Sequence, residues 1–343
     1  MGRASIGLAL AALLSAAWPA WAQDAAPDEG PLFPEPPPPH VEVGIGENTP
    51  ALFQDPRFAA TGIRHARLTV PYDVVRAGGG KLAETDTWLE QARLQGVDPL
   101  ISFGFSTRRP SRRWRWHLPS VSEYRARVRE FRQRYPWVHE LTTWNEANHK
   151  RVQPSGTRPI RTAALYRELR RQCSDGSCQA VAADVLLTRS RRTWAWIRSF
   201  ARHAGPGRHI WGIHNYPDVN RHSGRYTRRF LRTVRGEIWF TETGGIVRFG
   251  KRWRRDEYRA GSAVRFAFRL AASSPRVKRI YLYNWREARR NRRWDSGLIS
   301  ASGRERDAYF ELVDALAEDL FRPQAPQLEP PAVDQPLPPT DLP

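Results

Sequence analysis

Residues 41–322 alternate eight times between a short apolar run and a longer segment whose apolar residues recur every three or four positions. The short runs are rich in Val, Ile, Leu, Trp and Tyr, which is typical of strands buried on both faces. The longer segments have the periodicity of amphipathic helices. The predicted strands are 41–46, 65–70, 98–104, 138–144, 179–184, 209–214, 237–241 and 278–283, and the predicted helices are 55–61, 84–95, 120–135, 161–171, 192–203, 224–235, 256–273 and 304–319.

This order predicts an α/β protein built as a single-domain (β/α)8 TIM barrel, because strands that alternate with helices form parallel sheets. A doubly wound open sheet is the alternative, but no G-x-G-x-x-G motif follows the first predicted strand. The chain has 343 residues and a mean hydropathy of −0.62, which excludes a protein with several membrane spans. A barrel would place its functional groups at the carboxyl ends of the strands.

Both ends of the chain differ in composition from the predicted barrel. Residues 1–22 carry Arg3 ahead of an apolar stretch and end in Ala-Trp-Ala, the pattern of a cleaved signal peptide. Residues 23–40 form a Pro-rich linker, and residues 323–343 form a Pro-rich tail that we expect to be disordered. The sequence therefore predicts a secreted or periplasmic protein with one folded domain over residues 41–322.

The two cysteines, Cys173 and Cys178, flank a turn-prone Ser-Asp-Gly-Ser stretch. In an oxidising compartment this arrangement predicts a disulfide that closes a short loop, with two unpaired thiols as the alternative. Two cysteines without neighbouring histidines do not favour a metal site.

The positive charge of the chain is concentrated in the predicted domain. The whole chain has a formal net charge of +20, and residues 41–323 hold 54 basic and 28 acidic residues. GC-rich coding is one explanation, because 51 of the 55 basic residues are Arg. An anionic partner such as an acidic glycan is the other. Export and the lack of an RNA-binding motif argue against nucleic acid.

Two glutamates stand where predicted strands end. Glu146 follows the fourth predicted strand, and Glu242 closes the seventh. An unpaired buried carboxylate is costly, so two carboxylates at one barrel mouth indicate a function. Hydrolysis of a glycosidic bond uses such a pair, one as an acid and the other as a nucleophile or stabiliser of the sugar cation. The alternative is that both glutamates are structural partners of arginines.

Further polar and aromatic side chains lie at or near the ends of other predicted strands. A guanidinium at this position holds a carboxylate ionised and oriented. An imidazole and a phenol hydrogen-bond a carboxylate or sugar hydroxyls, and an indole face suits a sugar ring. These candidates for substrate binding are Arg67 in the second strand, His214 and Tyr216 at the sixth, and Trp285 after the eighth.

Taken together, these motifs resemble those of the clan A glycoside hydrolases. The stretch Trp294-Asp295-Ser296-Gly297-Leu298, followed by Ser302-Gly303-Arg304, resembles the segment before the last helix in families 5 and 39. Trp144-Asn145-Glu146 is similar to the Asn-Glu sequence at the clan's acid/base, and Glu242 is similar to its nucleophile at the end of the seventh strand. Arg67, His214, Tyr216 and Trp285 match accessory positions of the clan. One difference is Ala147, where many relatives have proline.

The resemblance implies a retaining enzyme with Glu146 as acid/base and Glu242 as nucleophile, and with Asn145 bonded to the sugar 2-hydroxyl. It implies a poly- or oligosaccharide substrate, β-linked, and no metal or organic cofactor. Such chemistry requires a raised pKa for Glu146, an ionised Glu242 held by Arg67 and Tyr216, and carboxyl groups about 5–5.5 Å apart. A non-catalytic carbohydrate-binding barrel, for an anionic envelope glycan, is the alternative function.

Overall fold

The computed structural model describes residues 41–106, 117–150, 153–288 and 293–317. Eight parallel strands close into a barrel in the order β1-β2-β3-β4-β5-β6-β7-β9, which confirms the predicted (β/α)8 fold. A small antiparallel pair, β8 and β10, lies outside the barrel sheet. The strands are β1 Glu42–Gly46, β2 His65–Pro71, β3 Asp98–Gly104, β4 Glu140–Thr142, β5 Gln179–Leu186, β6 His209–His214, β7 Gly236–Thr243, β8 Arg248–Phe249, β9 Val277–Tyr283 and β10 Trp294–Asp295.

Helices follow the barrel strands and cover their outer faces. In the described part of the chain the α-helices are Pro56–Ala60, Val74–Ala77, Gly79–Leu94, Val121–Arg134, Pro159–Gln172, Arg191–His203, Tyr216–Val219, Arg225–Thr233, Glu257–Ala272 and Asp307–Ala317. Side-chain caps fix several of their starts. The Ser120 hydroxyl accepts the backbone N–H of Glu123 at 3.0 Å, and the Asp256 carboxylate accepts that of Arg259 at 2.9 Å.

The predicted strands agree with the structure within three residues at each end, and the main differences have local causes. The fourth strand is limited to β4 and ends at Thr142, although the backbone of the next three residues still forms hydrogen bonds to β3 and β5. The helix predicted at 84–95 begins at Gly79, since a glycine-rich start indicates a turn but also tolerates a first helical turn. The predicted segments 1–22, 23–40 and 323–343 lie outside the described residues.

The interior of the barrel is packed with side chains. One layer consists of Leu100, Val181, Trp239 and Tyr281 from β3, β5, β7 and β9. Gly44 of β1 adds no side chain at this level, and a Cβ there would lie 2.5 Å from the Tyr281 ring. Glycine is therefore required at this position for the Tyr281 ring to fit. The strands are held rigidly by this packing, so that the groups at their carboxyl ends are fixed in position.

Cys173 and Cys178 form a disulfide with an S–S distance of 2.01 Å, as predicted. It closes the turn between the helix Pro159–Gln172 and β5. None of the helices in the described residues is long and apolar enough to cross a membrane.

Candidate active site

Glu146 lies in the loop after β4 and is anchored by its backbone neighbours. The N–H of Asn145 donates to the carbonyl of Phe103 in β3 at 2.7 Å, and the N–H of Ala147 donates to the carbonyl of Asp184 in β5 at 2.8 Å. Between these two bonds Glu146 has a φ of 43°, in the left-handed region that non-glycine residues rarely adopt. Such a conformation persists where surrounding contacts impose it, and it is found most often at functional sites.

Glu242 is a residue of β7 itself, and both its carboxylate oxygens are held. Arg67 donates Nη1 to Glu242 Oε2 at 3.0 Å, and the Tyr216 hydroxyl donates to Oε1 at 3.2 Å. The Tyr216 hydroxyl is itself kept neutral, because burial and the negative charge of Glu242 raise its pKa well above the usual value. The predicted pairing of Arg67 and Tyr216 with Glu242 is therefore present.

Arg67 connects three strands inside the barrel mouth. Its Nη2 donates to Asn145 Oδ1 and to Asp184 Oδ2, both at 2.7 Å. Asp184 Oδ2 also accepts the Ser102 hydroxyl at 2.6 Å, and its carboxylate is fully buried. Burial disfavours charge here, but the neighbouring carboxylates dominate and raise the pKa of Arg67 above its ordinary value. The same ion pair lowers the pKa of Asp184.

His214, at the end of β6, lies between the two glutamates. Its Nδ1 is 3.4 Å from Glu146 Oε1 and 3.8 Å from Glu242 Oε2. These two oxygens are therefore no further apart than about 7.2 Å. On its other side, His214 Nε2 is 3.8 Å from Asp184 Oδ2. The site thus brings Glu146 and Glu242 together around one imidazole.

The charges of this cluster are strongly coupled. Burial acts against a charged imidazole, but Glu242, Asp184 and Glu146 outweigh it and raise the pKa of His214 to about 9. Burial acts to raise the pKa of Glu146, yet hydrogen bonds from His149 and His214 lower it to about 2. The expectation of a raised pKa for Glu146 is therefore wrong for the substrate-free protein, because two imidazoles stabilise its ionised form.

His149 also contacts Glu146, and the sequence analysis does not predict this contact. Its Nδ1 is 3.0 Å from Glu146 Oε2, and its side chain is 34% exposed. The signal was present, because His149 follows Glu146 by three residues in the same loop. However, the contact depends on the left-handed backbone of Glu146, which brings the next turn of chain back towards its side chain.

Trp285 does not lie in this site, which corrects the sequence-based assignment. Its indole is 1% exposed, packs edge-on against Phe58 and Tyr309, and donates Nε1 to Asp55 Oδ2 at 3.0 Å. Trp285 therefore packs between the barrel and the surrounding helices. Tyr283, the last residue of β9, is coupled to the site electrostatically, because burial and then the charge of Glu242 raise the pKa of its phenol.

Aromatic rings extend from Glu242 towards the outer pair of strands. The Tyr216 ring meets the ring of Trp294 edge-on at 5.0 Å, and Trp294 meets Phe249 at 5.2 Å. Trp294 belongs to β10 and Phe249 to β8, so the small sheet carries an aromatic wall beside the carboxylates. In the described ranges, no group of three or more His, Cys, Asp or Glu side chains is arranged to hold a metal ion.

No family model and no curated protein matches the sequence. Solved structures do match it. A GH5_18 protein from Bifidobacterium longum subsp. infantis gives a TM-score of 0.60 at 16% identity, over 83% of this chain and 80% of that chain. A GH5_18 protein from Streptomyces cattleya in complex with GlcNAc gives 0.59 at 13% identity, over 84% and 82%. Xylanase 10B from Thermotoga petrophila RKU-1 in complex with xylobiose gives 0.58 at 12% identity, over 82% and 95%.

The chain therefore shares the fold of these glycoside hydrolases along most of its length. The resemblance to the clan A glycoside hydrolases is confirmed at the level of the fold. At such low identity the likeness concerns the arrangement of strands and helices, and the chemistry depends on the side chains of this chain.

Proposed function

We propose that this protein is an exported retaining glycoside hydrolase that cleaves β-linked O-glycosidic bonds of a poly- or oligosaccharide. The observation that supports it most is the pair of carboxylates on either side of His214. Glu242 is held at both oxygens by Arg67 and Tyr216, and Glu146 projects from a strained loop opposite it. A structural glutamate would pair with Arg67 as Glu242 does, but it would not need a second carboxylate on the other side of His214.

In the proposed reaction, Glu242 attacks the anomeric carbon while the leaving oxygen takes a proton from Glu146. Water then attacks the glycosyl-enzyme, and Glu146 accepts a proton from that water. A spacing of about 5–5.5 Å, which this route needs, is within the upper bound of about 7.2 Å set by His214. The side-chain NH2 of Asn145 remains to bind the sugar 2-hydroxyl, since its oxygen is bonded to Arg67.

Because the pKa of Glu146 is low, the proton needed for catalysis is shared between its carboxyl group and the neighbouring imidazoles. His214 keeps its proton up to about pH 9 and lies 3.4 Å from Glu146. We propose that a bound sugar excludes water from Glu146 and so raises the pKa of the Glu146 carboxyl group. A proton then passes to this carboxyl group from the imidazole of His214. His149 would then position the Glu146 carboxyl group through Oε2.

The aromatic wall of Tyr216, Trp294 and Phe249 is the proposed platform for a sugar ring next to the cleaved bond. The alternative is a barrel that binds carbohydrate without turnover. It is less favoured, because a binding protein has no use for the Arg67–Glu242–Tyr216 arrangement.

We propose that residues 41–322 form the catalytic domain, preceded by a cleaved signal peptide. The disulfide between Cys173 and Cys178 supports an oxidising location, secreted or periplasmic. Mass spectrometry of protein secreted by a bacterial host tests this. Cleavage after Ala22 is expected, whereas an intact N-terminus in the exported protein would contradict it.

The activity is tested with a panel of aryl β-glycosides and β-linked oligosaccharides, with proton NMR to identify the anomer formed first. We expect the β-anomer first, and loss of turnover by a factor of about 10⁴ or more in Glu242→Gln with oligosaccharide binding retained. Glu237→Gln, in the same strand but away from the cluster, is the matched control. Binding without turnover in the wild-type protein would favour the binding barrel, and an α-anomer formed first would exclude retention.

The role of His149 is tested by leaving-group dependence. The dinitrophenolate of a 2,4-dinitrophenyl glycoside departs without acid assistance, whereas the alkoxide of an alkyl glycoside needs a proton as it leaves. His149→Gln should therefore slow the alkyl glycoside at least about tenfold more than the dinitrophenyl glycoside. An equal loss on both substrates would indicate a purely structural role.

A further inference from the structure

Seven of the 51 arginines of the chain line two adjoining grooves on the outside of the barrel. The first groove, of about 830 Å³, lies between the helices Val121–Arg134 and Pro159–Gln172. The second, of about 500 Å³, continues along the end of the helix Pro159–Gln172 to the start of β6. Both are lined by Arg171. The first adds Arg125, Arg129 and Arg132, and the second adds Arg167, Arg170 and Arg208.

The positive charge of these grooves is poorly compensated. Among the described residues that line them, Glu168 is the single carboxylate. Its side chain is 2% exposed, and its oxygens are bonded to Arg125 at 2.8 Å and to Arg171. Asp175 in the neighbouring turn is bonded to Ser177. One buried carboxylate against seven guanidinium groups leaves a strongly positive surface.

Several of these guanidinium groups are held in place without being neutralised. Arg132 donates to the carbonyl of Gln172, Arg167 to that of His203, and Arg170 to that of Pro206 at 2.9 Å. These carbonyls lie at or just beyond helix C-termini, where cations are favoured. A backbone carbonyl uses one or two of the five N–H donors of an arginine. The remaining donors and the full positive charge stay available to a ligand.

The grooves lie away from the candidate active site. They border the C-terminal ends of helices and the first residues of β5 and β6, Gln179 and Ile210 among them. In a (β/α)8 barrel this is the opposite end from the carboxyl ends of the strands. A ligand in the grooves therefore binds without occupying the site of Glu146 and Glu242.

We propose that the two grooves form one binding site for an anionic polysaccharide, a glycan chain that carries carboxylate, sulfate or phosphate groups. Guanidinium groups pair with such anions in bidentate geometry. Gln133, Gln172 and Ser174 in the lining supply donors and acceptors for sugar hydroxyls. Tyr166 is the aromatic residue of the described lining and is buried, so the grooves offer no ring for base stacking. This inference does not rest on the proposed catalytic function.

The test uses the full-length mature protein, immobilised glycans and a triple variant of the grooves. Arg129, Arg167 and Arg208 are exposed and can be changed to Gln without uncovering Glu168. The matched control changes Arg225, Arg228 and Arg232 to Gln. These three exposed arginines lie on the helix Arg225–Thr233, and Arg228, like Arg167, caps a carbonyl.

Wild-type protein should bind polygalacturonate and dextran sulfate but not neutral dextran, and added salt should weaken binding. The groove variant should bind at least about tenfold more weakly than wild type, and the control variant within about threefold of it, since both lose three charges. Thermal melting checks that both variants are folded. No preference over dextran, or equal losses in both variants, would overturn the proposal. Tighter groove-dependent binding of a dT20 oligonucleotide or of phosphatidylglycerol vesicles would also overturn it.

Discussion

The charged state of His214 makes the electrostatics of the candidate site measurable without knowledge of the substrate. His214 is fully buried and lies between the carboxylates of Glu242, Asp184 and Glu146, with the guanidinium Nη2 of Arg67 3.5 Å from its Nε2. The three carboxylates raise its pKa from 6.5 to about 9 in the folded protein despite the opposing effect of burial. In the unfolded chain its pKa returns to about 6.5. The perturbation we propose is His214→Gln, which removes the titrating group but keeps a polar side chain of similar reach.

The raised pKa of His214 determines the sign and size of its contribution to the free energy of unfolding. A group whose pKa is higher in the folded state stabilises that state, fully below pH 6.5 and decreasingly up to the folded value. One pKa unit corresponds to 1.36 kcal/mol, so the shift of His214 is worth about 3 kcal/mol. The free energy of unfolding of the wild-type protein should therefore lose about 3 kcal/mol from this group between pH 6.5 and pH 9.5.

Urea unfolding at half-unit pH steps, followed by tryptophan fluorescence, measures this effect. We expect the stability difference between wild type and His214→Gln to shrink by about 3 kcal/mol across the window. His139→Gln, an exposed histidine whose ring contacts the carbonyl of Ser177, is the control and should follow the wild type. A difference that stays constant between pH 6.5 and 9.5 would refute the charged His214 and the carboxylate cluster that explains it.

Three further changes test the framework of the site by unfolding measurements. Asp184→Asn should cost about 1.5–3 kcal/mol, because it removes one of the two counter-ions of the buried Arg67 guanidinium and leaves Glu242 as the other; a loss below about 1 kcal/mol would contradict this role. Gly212→Ala places a Cβ 2.2 Å from Asp184 Oδ1, so we expect at least about 1–3 kcal/mol of destabilisation by overpacking. Replacing Cys173 and Cys178 by serine opens a short loop and should lower stability by about 2 kcal/mol. An unchanged urea midpoint in either variant would argue against that packing or that cross-link.

The fold was predictable because its signals are local. Strands such as β3 and β6 are buried on both faces, so each appears in the sequence as an apolar run with the same bounds that the structure gives. Short elements were not predictable in this way. The helices Val74–Ala77 and Tyr216–Val219 are four residues long, too short for a periodic pattern, and depend on the loops that they join.

The candidate site was predictable as a set of positions but not as a set of contacts. Barrel geometry brings Arg67, Glu146 and Glu242 to one end, although which oxygen each guanidinium nitrogen contacts depends on packing. The prediction for Trp285 was wrong because this residue lies two positions beyond the end of β9, and the sequence does not specify that its side chain turns outwards to Asp55. The expected pKa of Glu146 was wrong because two imidazoles contact its carboxylate, that of His214 from the end of β6 and that of His149 from the same loop, and no sequence pattern encodes these contacts.

The charges of the site and of the grooves have opposite signs, which separates their proposed roles. Within the cluster, the carboxylates of Asp184, Glu146 and Glu242 outnumber the cations Arg67 and His214. A net negative pocket stabilises the positive charge that develops on a sugar ring during glycoside hydrolysis. It also disfavours an anionic sugar at the cleaved bond. An anionic glycan would therefore be held by the arginine grooves through its charged groups, and cleavage would take place beside a neutral residue.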